Sequence, residues 1–314
     1  MKIAQVCPYD FSRPGGVKNH IIGLTNTLRA LGHHVDILTP FMSYPDEELF
    51  SGIYQFGKKK STTSRSTKID FSLAVGSDVK RLRAHLKQER YDIIHYHNGW
   101  TPLLSYQIRF FSFFHKSKHV ATFHDTPPDS WIGKYILGKI LMPFGAFIMS
   151  FLGQAGISVS YSQSKYIKGL FFKPIKIIPN GIDLKIYEDK HKISDLYNDG
   201  KFHLLFLGRL EPRKGVYHAL NSFAFLKKKY SNMRLIIAGE GDGKEEAETF
   251  VKDRQLDDVV FLGYVEEDLK FKLLNTVDVF LAPALYGESF GLSCWRQWLS
   301  EYQWWDMAMR DIKM

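Results

Sequence analysis

Between Phe202 and Ala282, short apolar runs alternate with amphipathic stretches, and nothing else in the chain limits its fold so tightly. The runs Phe202–Leu207, Arg234–Ala238, Val259–Leu262 and Val277–Ala282 read as strands. Val216–Lys229, Lys244–Arg254 and Glu267–Asn275 read as the helices between them. Such alternation gives a parallel sheet with helices on both faces. Its first turn, Gly208–Gly215, reads G-R-L-E-P-R-K-G. A glycine turn opening a helix offers free backbone N–H groups and the positive end of the helix dipole. Arg209 adds a planar donor fork and Lys214 a point charge, a pair that suits a pyrophosphate.

The first half shows the same grammar. Lys2–Cys7 is a strand, followed by P-Y-D-F-S-R-P-G-G-V and a helix over Val17–Leu31. Gly15-Gly16 lets the backbone approach a ligand closely. Further strands are expected at Val35–Leu38, Gly52–Phe56, Asp92–His97, His119–Phe123, Gly156–Ser160 and Ile175–Ile178. Lys58–Lys68, basic and rich in Ser and Thr, reads as a surface loop. His124-Asp125 falls at a strand's carboxyl end, where open α/β sheets hold ligands. His95 and His97 share a strand face, but no carboxylate or Cys cluster supports a metal site there.

Trp131–Gly153 is apolar, but Lys134, Lys139, Pro143 and several glycines break it, which favours a buried or interfacial helix pair over a membrane span. The helix Ser77–Glu89 carries Lys80, Arg81, Arg83 and Lys87, a basic face that can rest on anionic lipid. Net charge is +9, which fits nucleic acid, anionic lipid or phosphorylated ligands without choosing among them. Two cysteines exclude a disulfide framework, and the amino terminus reads as a strand and not a signal peptide, so a cytoplasmic protein is expected. The expected organisation is two doubly wound domains facing a cleft. Residues 1–184 form the first, 185–201 the linker, 202–292 an incomplete second domain, and 293–314 an aberrant tail.

P-G-G-V, F-H-D, I-P-N-G-I-D, G-R-L-E-P-R-K-G, A-G-E-G-D, F-L-G-Y-V and G-E-S-F-G occur in that order. Together they resemble a retaining nucleotide-sugar glycosyltransferase of the GT-B, two-Rossmann type. The opening V-C-P-Y-D-F-S-R-P-G-G-V is most similar to the phosphatidylinositol mannosyltransferase branch. The resemblance implies a hexose moved from a nucleotide diphosphate-sugar to a lipid-linked or glycan acceptor, with no metal, no other cofactor and no nucleic-acid partner. It places Arg209 and Lys214 on the donor pyrophosphate, in place of a metal. It places Gly16, Glu288, Ser289, Phe290 and Gly291 on the donor, and Tyr9, Gly15 and Gly16 on the acceptor. His124 and Glu288 carry the catalytic roles it implies. Peripheral contact with the inner membrane face is a further expectation, from the basic helix and the aromatic run Phe110–Phe114.

The family's second glutamate is missing. After G-E-S-F-G the chain turns to a tail with Trp295, Trp298, Trp304 and Trp305, and Arg296 stands where the glutamate is expected. Restoring one nucleotide near Ser293 lets Ser293–Lys313 read V-L-L-E-A-M-A-I-G-I-P-V-V-G-Y-G-N-E-G-Y-K, the family's own continuation. A single-base deletion, in the gene or in its sequencing, is therefore expected, and with it a weak or inactive chain. A nucleotide-sugar-binding protein without turnover, or a sugar-nucleotide epimerase, are the alternatives. A phosphorylase would need a pyridoxal-lysine site, for which the chain shows no motif.

Overall fold

The computed structural model describes residues 1–12, 15–42, 51–64, 67–98, 104–124, 139–140, 142–152, 155–165, 167–168, 173–181, 197–285 and 304–305. The chain divides into two compact units, Met1–Gly181 and Ile182–Met314. Each is built on a parallel sheet, the arrangement of a Rossmann-like domain.

The first unit runs β1 (Lys2–Val6), α1 (Gly16–Ala30), β2 (His34–Thr39), β3 (Ile53–Gln55), β4 (Lys58–Ser64), β5 (Thr67–Leu73), α2 (Ser77–Glu89) and β6 (Ile93–His97). It continues through α3 (Leu104–Phe111), β7 (Lys118–Phe123), α4 (Met142–Leu152), β8 (Ala155–Ser158), α5 (Tyr161–Ser164) and β9 (Ile175–Ile177). Its main sheet has the order β3-β2-β1-β6-β7-β8-β9, and every pairing is parallel. The strand order reverses between β1 and β6, so the loops after those strands part and leave a crevice at their carboxyl ends. β1, β2 and β6 are covered on both faces, which is why they read as apolar runs and not as alternation. Leu38, Leu82, Leu86, Tyr96 and Phe123 pack in the core beneath that crevice. Each fully buried apolar side chain of this size contributes roughly 1.5–3 kcal/mol.

The second unit runs β10 (Phe202–Leu207), a 3-10 turn (Pro212–Lys214), α6 (Val216–Lys227), β11 (Met233–Ala238), α7 (Lys244–Asp253), β12 (Val259–Gly263), α8 (Glu267–Thr276), β13 (Val279–Leu281) and β14 (Trp304–Trp305). The sheet order is β12-β11-β10-β13-β14, again all parallel, with the reversal between β10 and β13. Leu205, Ile236 and Phe280 lie in a core on one face of this sheet, and Phe206, Leu235 and Ile237 in a core on the other.

The structure corrects one expectation outright. Lys58–Lys68 is not a loop: β4 and β5 form an antiparallel hairpin, with Lys58 opposite Leu73 and Ser64 opposite Thr67. Thr62, Thr63, Thr67 and Ile69 are β-branched and suit strand geometry. The cationic composition masked that preference. Of the helix pair expected over Trp131–Gly153, α4 is described and residues 125–138 lie outside the described set. Among the described residues, no helix is long and apolar enough to cross a membrane.

Candidate active site

In the first unit the site is assembled from loops at the carboxyl ends of β1, β6 and β7. Asn98, the residue after β6, is fully buried and has φ 51, the left-handed region that Asn enters more readily than most residues. Its side chain ties two loops together. Asn98 Nδ2 donates to the Tyr9 hydroxyl at 2.6 Å, and Asn98 Oδ1 accepts from the backbone N–H of His124 at 2.7 Å. Thr39 Oγ1 in turn donates to the carbonyl of Tyr9 at 2.9 Å. Tyr9 and His124, both site residues from the sequence, are thus joined through a residue that the sequence reading passed over.

The His124 ring lies in a chain of imidazoles. His97 Nε2 meets Gln5 Oε1 at 2.6 Å, and His97 Nδ1 meets His124 Nε2 at 3.1 Å. An amide oxygen only accepts, so the His97 proton sits on Nε2. Its Nδ1 then accepts from His124 Nε2–H, and His124 keeps an unprotonated Nδ1. His20, from α1, packs edge-on against both rings, with centroids 4.8 Å from His124 and 5.4 Å from His97. His95 lies beside His97, ring centroids 4.3 Å apart, and its Nε2 meets Thr122 Oγ1 at 2.7 Å.

Burial holds all of these rings neutral. It lowers His20 to about 4 and His95 to about 3. His97 and His124 are lowered well below the ordinary range, first by burial and then by the neighbouring histidines. At neutral pH, His124 is therefore a hydrogen-bonding group and not a cation.

Gly15 caps α1 and Gly16 is its first residue. Gly15 has φ 170, extended backbone open to any residue, and a Cβ there would meet no other atom within 4 Å. The chain's own packing does not demand glycine at this position, and the space beside it is open to a ligand. The N–H groups of the 15-residue α1 face that space with the positive end of the helix dipole.

The second unit supplies the charged turn. Arg209 and Lys214 both lie between β10 and α6. Gly215 caps α6 at φ 77, and a Cβ there would fall 2.0 Å from the carbonyl oxygen of Pro283. Only glycine permits that approach, which holds the turn against the chain leaving β13. The Arg209 side chain is 63 % exposed and its Nη1 pairs with Glu211 Oε1 at 2.9 Å. The other carboxylate oxygen of Glu211 accepts from Arg213 Nε at 2.7 Å. The Glu211 carboxylate thus bridges Arg209 and Arg213 through its two oxygens. Glu288, Ser289, Phe290 and Gly291 lie outside the described residues.

Residues 14–186 match the family description Glycosyltransferase Family 4, and residues 188–295 match Glycosyl transferases group 1. The first match alone covers more than half of the chain. The protein is a family 4 glycosyltransferase. The phosphatidyl-myo-inositol mannosyltransferase of Mycolicibacterium smegmatis is 30% identical over 299 residues, spanning 93% of this chain and 72% of the relative. That of Propionibacterium freudenreichii subsp. shermanii is 26% identical, spanning 93% and 73%. Among solved structures, Anabaena HepE in complex with UDP and glucose superposes with a TM-score of 0.73 at 16% identity, covering 98% of this chain and 81% of its own. The pneumococcal O-GlcNAc transferase GtfA, in complex with UDP and GlcNAc, gives 0.73 at 12% identity, covering 100% and 84%. The glycosyltransferase thus has the GT-B arrangement of two Rossmann-like units.

Sequence reasoning missed His20, Asn98 and Gln5, and took His97 only with its strand neighbour His95. His20 follows Gly16 by one helical turn, and His97 closes the strand that the sheet order sets beside β1. Gln5 lies inside a strand and carries no signal of its own.

Proposed function

We propose that this glycosyltransferase moves a hexose from a nucleotide diphosphate-sugar to a lipid-linked or glycan acceptor with retention of anomeric configuration. The observation that carries the reading is the turn between β10 and α6. There a guanidinium and an ammonium flank a helix N-terminus, the guanidinium largely exposed and paired with Glu211. Such a turn stabilises charge developing on a departing diphosphate without a metal. His124 serves the donor sugar as a neutral hydrogen-bonding group, positioned by Asn98 and His97. Glu288 contacts the sugar hydroxyls, while Gly16, Ser289, Phe290 and Gly291 border the donor. Tyr9, Gly15 and Gly16 border the acceptor.

In the chain with its reading frame restored, Arg209→Ala and Lys214→Ala are each expected to lower kcat by about 10²–10³-fold, the loss seen when one stabilising donor is removed. Far-UV spectra should be unchanged, because the Arg209 side chain is 63 % exposed. Transfer is expected to persist in EDTA and to need an acceptor. NMR of the product should show the donor's anomeric configuration; an inverted product overturns retention, and an altered sugar formed without acceptor points to an epimerase.

The lipid acceptor has a matching surface. Lys80, Arg81, Arg83 and Lys87 are exposed on α2, which buries Leu82 and Leu86 on its other side. Arg83 lies over the ring of Phe111 at 4.3 Å. Phe110, Phe113 and Phe114 are exposed where α3 ends, Phe114 by 93%. Basic and aromatic side chains together suit an anionic interface, at about 1 kcal/mol per cation near the surface. Binding to phosphatidylglycerol vesicles is expected to fall about tenfold or more in an Arg81→Glu, Lys87→Glu double variant. Equal flotation on anionic and neutral vesicles would remove the membrane from this reading.

The tail bears on this particular chain. The group 1 match stops at Trp295, two residues past the point where one missing nucleotide restores the family's continuation. The chain as it stands is read as weak or inactive in transfer, retaining donor binding at most.

A further inference from the structure

We propose that His20, His97 and His124 form a site for one borderline divalent transition-metal ion of the zinc class, and that its occupancy stops transfer by taking His124. One nitrogen from each ring can be chosen so that all three lie within 4.8 Å of one another. Four-coordinate zinc holds imidazole nitrogens at about 2.0–2.1 Å, which sets ligand nitrogens about 3.3 Å apart. His97 Nδ1 and His124 Nε2 already stand at 3.1 Å. His20 closes the remaining gap by a shift of up to about 1.5 Å to reach the same spacing. It is only partly buried, on α1, and so less tightly held than His97 and His124. A water fills the fourth position, as in open three-histidine sites.

The surroundings are those of a metal centre. His97 donates its other ring N–H to Gln5 Oε1, the outer contact that fixes a ligating imidazole's tautomer and orientation. On binding, the proton between His97 and His124 leaves His124 Nε2 and reappears on His124 Nδ1. Both imidazoles stay neutral, two N–metal bonds replace one hydrogen bond, and no net proton is released. His95 takes no part, since its Nε2 is engaged by Thr122. The ligands come instead from the strand ends of β6 and β7 and from α1.

The inhibitory half rests on His124 serving the donor sugar, as proposed above; the binding half does not. The test uses the full chain, stripped of metal and titrated with cobalt(II) without donor or acceptor. One equivalent is expected to give the intense visible absorption of four-coordinate cobalt. His20→Ala is expected to weaken binding by about 100-fold or more, beyond the 10–100-fold typical of losing an outer contact, and Gln5→Leu by 10–100-fold. In the unmodified chain, zinc is expected to raise the thermal midpoint by several degrees, a readout that needs no variant to fold. No cobalt band, or an equal band in His20→Ala, overturns the site. In the chain with its reading frame restored, zinc should abolish transfer and EDTA recover it, while His20→Ala resists. Cobalt binding with undiminished transfer overturns the inhibitory half and leaves the site standing.

Discussion

Restoring one nucleotide at the Ser293 codon is expected to raise transfer by about two orders of magnitude or more, the size of effect seen when a transition-state contact is regained. Three observations converge on that position. Arg296 becomes a glutamate in the restored reading, where the resemblance expects one. The family match ends at Trp295. β14 pairs in parallel with β13, Trp304 opposite Phe280 and Trp305 opposite Leu281, and the restored reading places Val-Val at those two positions. Donor turnover by the two chains, at equal soluble concentration, decides the matter. Sequencing the gene from independent material tells a true deletion from an error. Equal turnover, with no extra base in the gene, would make the tail a natural divergent one.

The second large effect is acid sensitivity of the first unit. His20, His95, His97, His119 and His124 are all lowered by burial, His20 to about 4 and His95 and His119 to about 3. A depressed imidazole binds fewer protons folded than unfolded. Its contribution is complete above the unfolded value near 6.5 and is lost as pH falls from there toward 4 and 3. Between pH 6.5 and 5, each ring that stays neutral in the fold costs about 1.6 kcal/mol, so two already cost about 3 kcal/mol. A domain stable by about 5–15 kcal/mol cannot spare much more. The urea midpoint of the folded chain should drop steeply between pH 7.5 and 5, with hydrogen exchange rising first in residues 1–181. A midpoint that holds steady to pH 5 would mean that these rings are hydrated or protonated in the fold.

Much of this architecture was readable because parallel α/β sheets write themselves as apolar runs separated by glycine turns. Phe202–Leu207 and Val216–Lys227 matched expectation within two residues at each end. The β4–β5 hairpin was not readable, because lysines and serines outnumbered its threonines. The site divided along the same line. Arg209 and Lys214 belong to one contiguous motif, and both lie on the expected turn between β10 and α6. Asn98, His97 and His20 act through strand order, which sets β6 between β1 and β7, and no local pattern records that order. Gln5 is harder still, a buried polar side chain inside a strand whose purpose exists only against His97.

The Asn98 side chain makes one mechanical body of two loops. Its amide is a single rigid plane, with the Tyr9 hydroxyl on one end and the His124 backbone on the other. A force applied to the Tyr9 ring reaches the main chain of His124 across two hydrogen bonds. Whatever seats against the first loop therefore also sets the height and tilt of the imidazole, and the two ends of that lever cannot be adjusted separately.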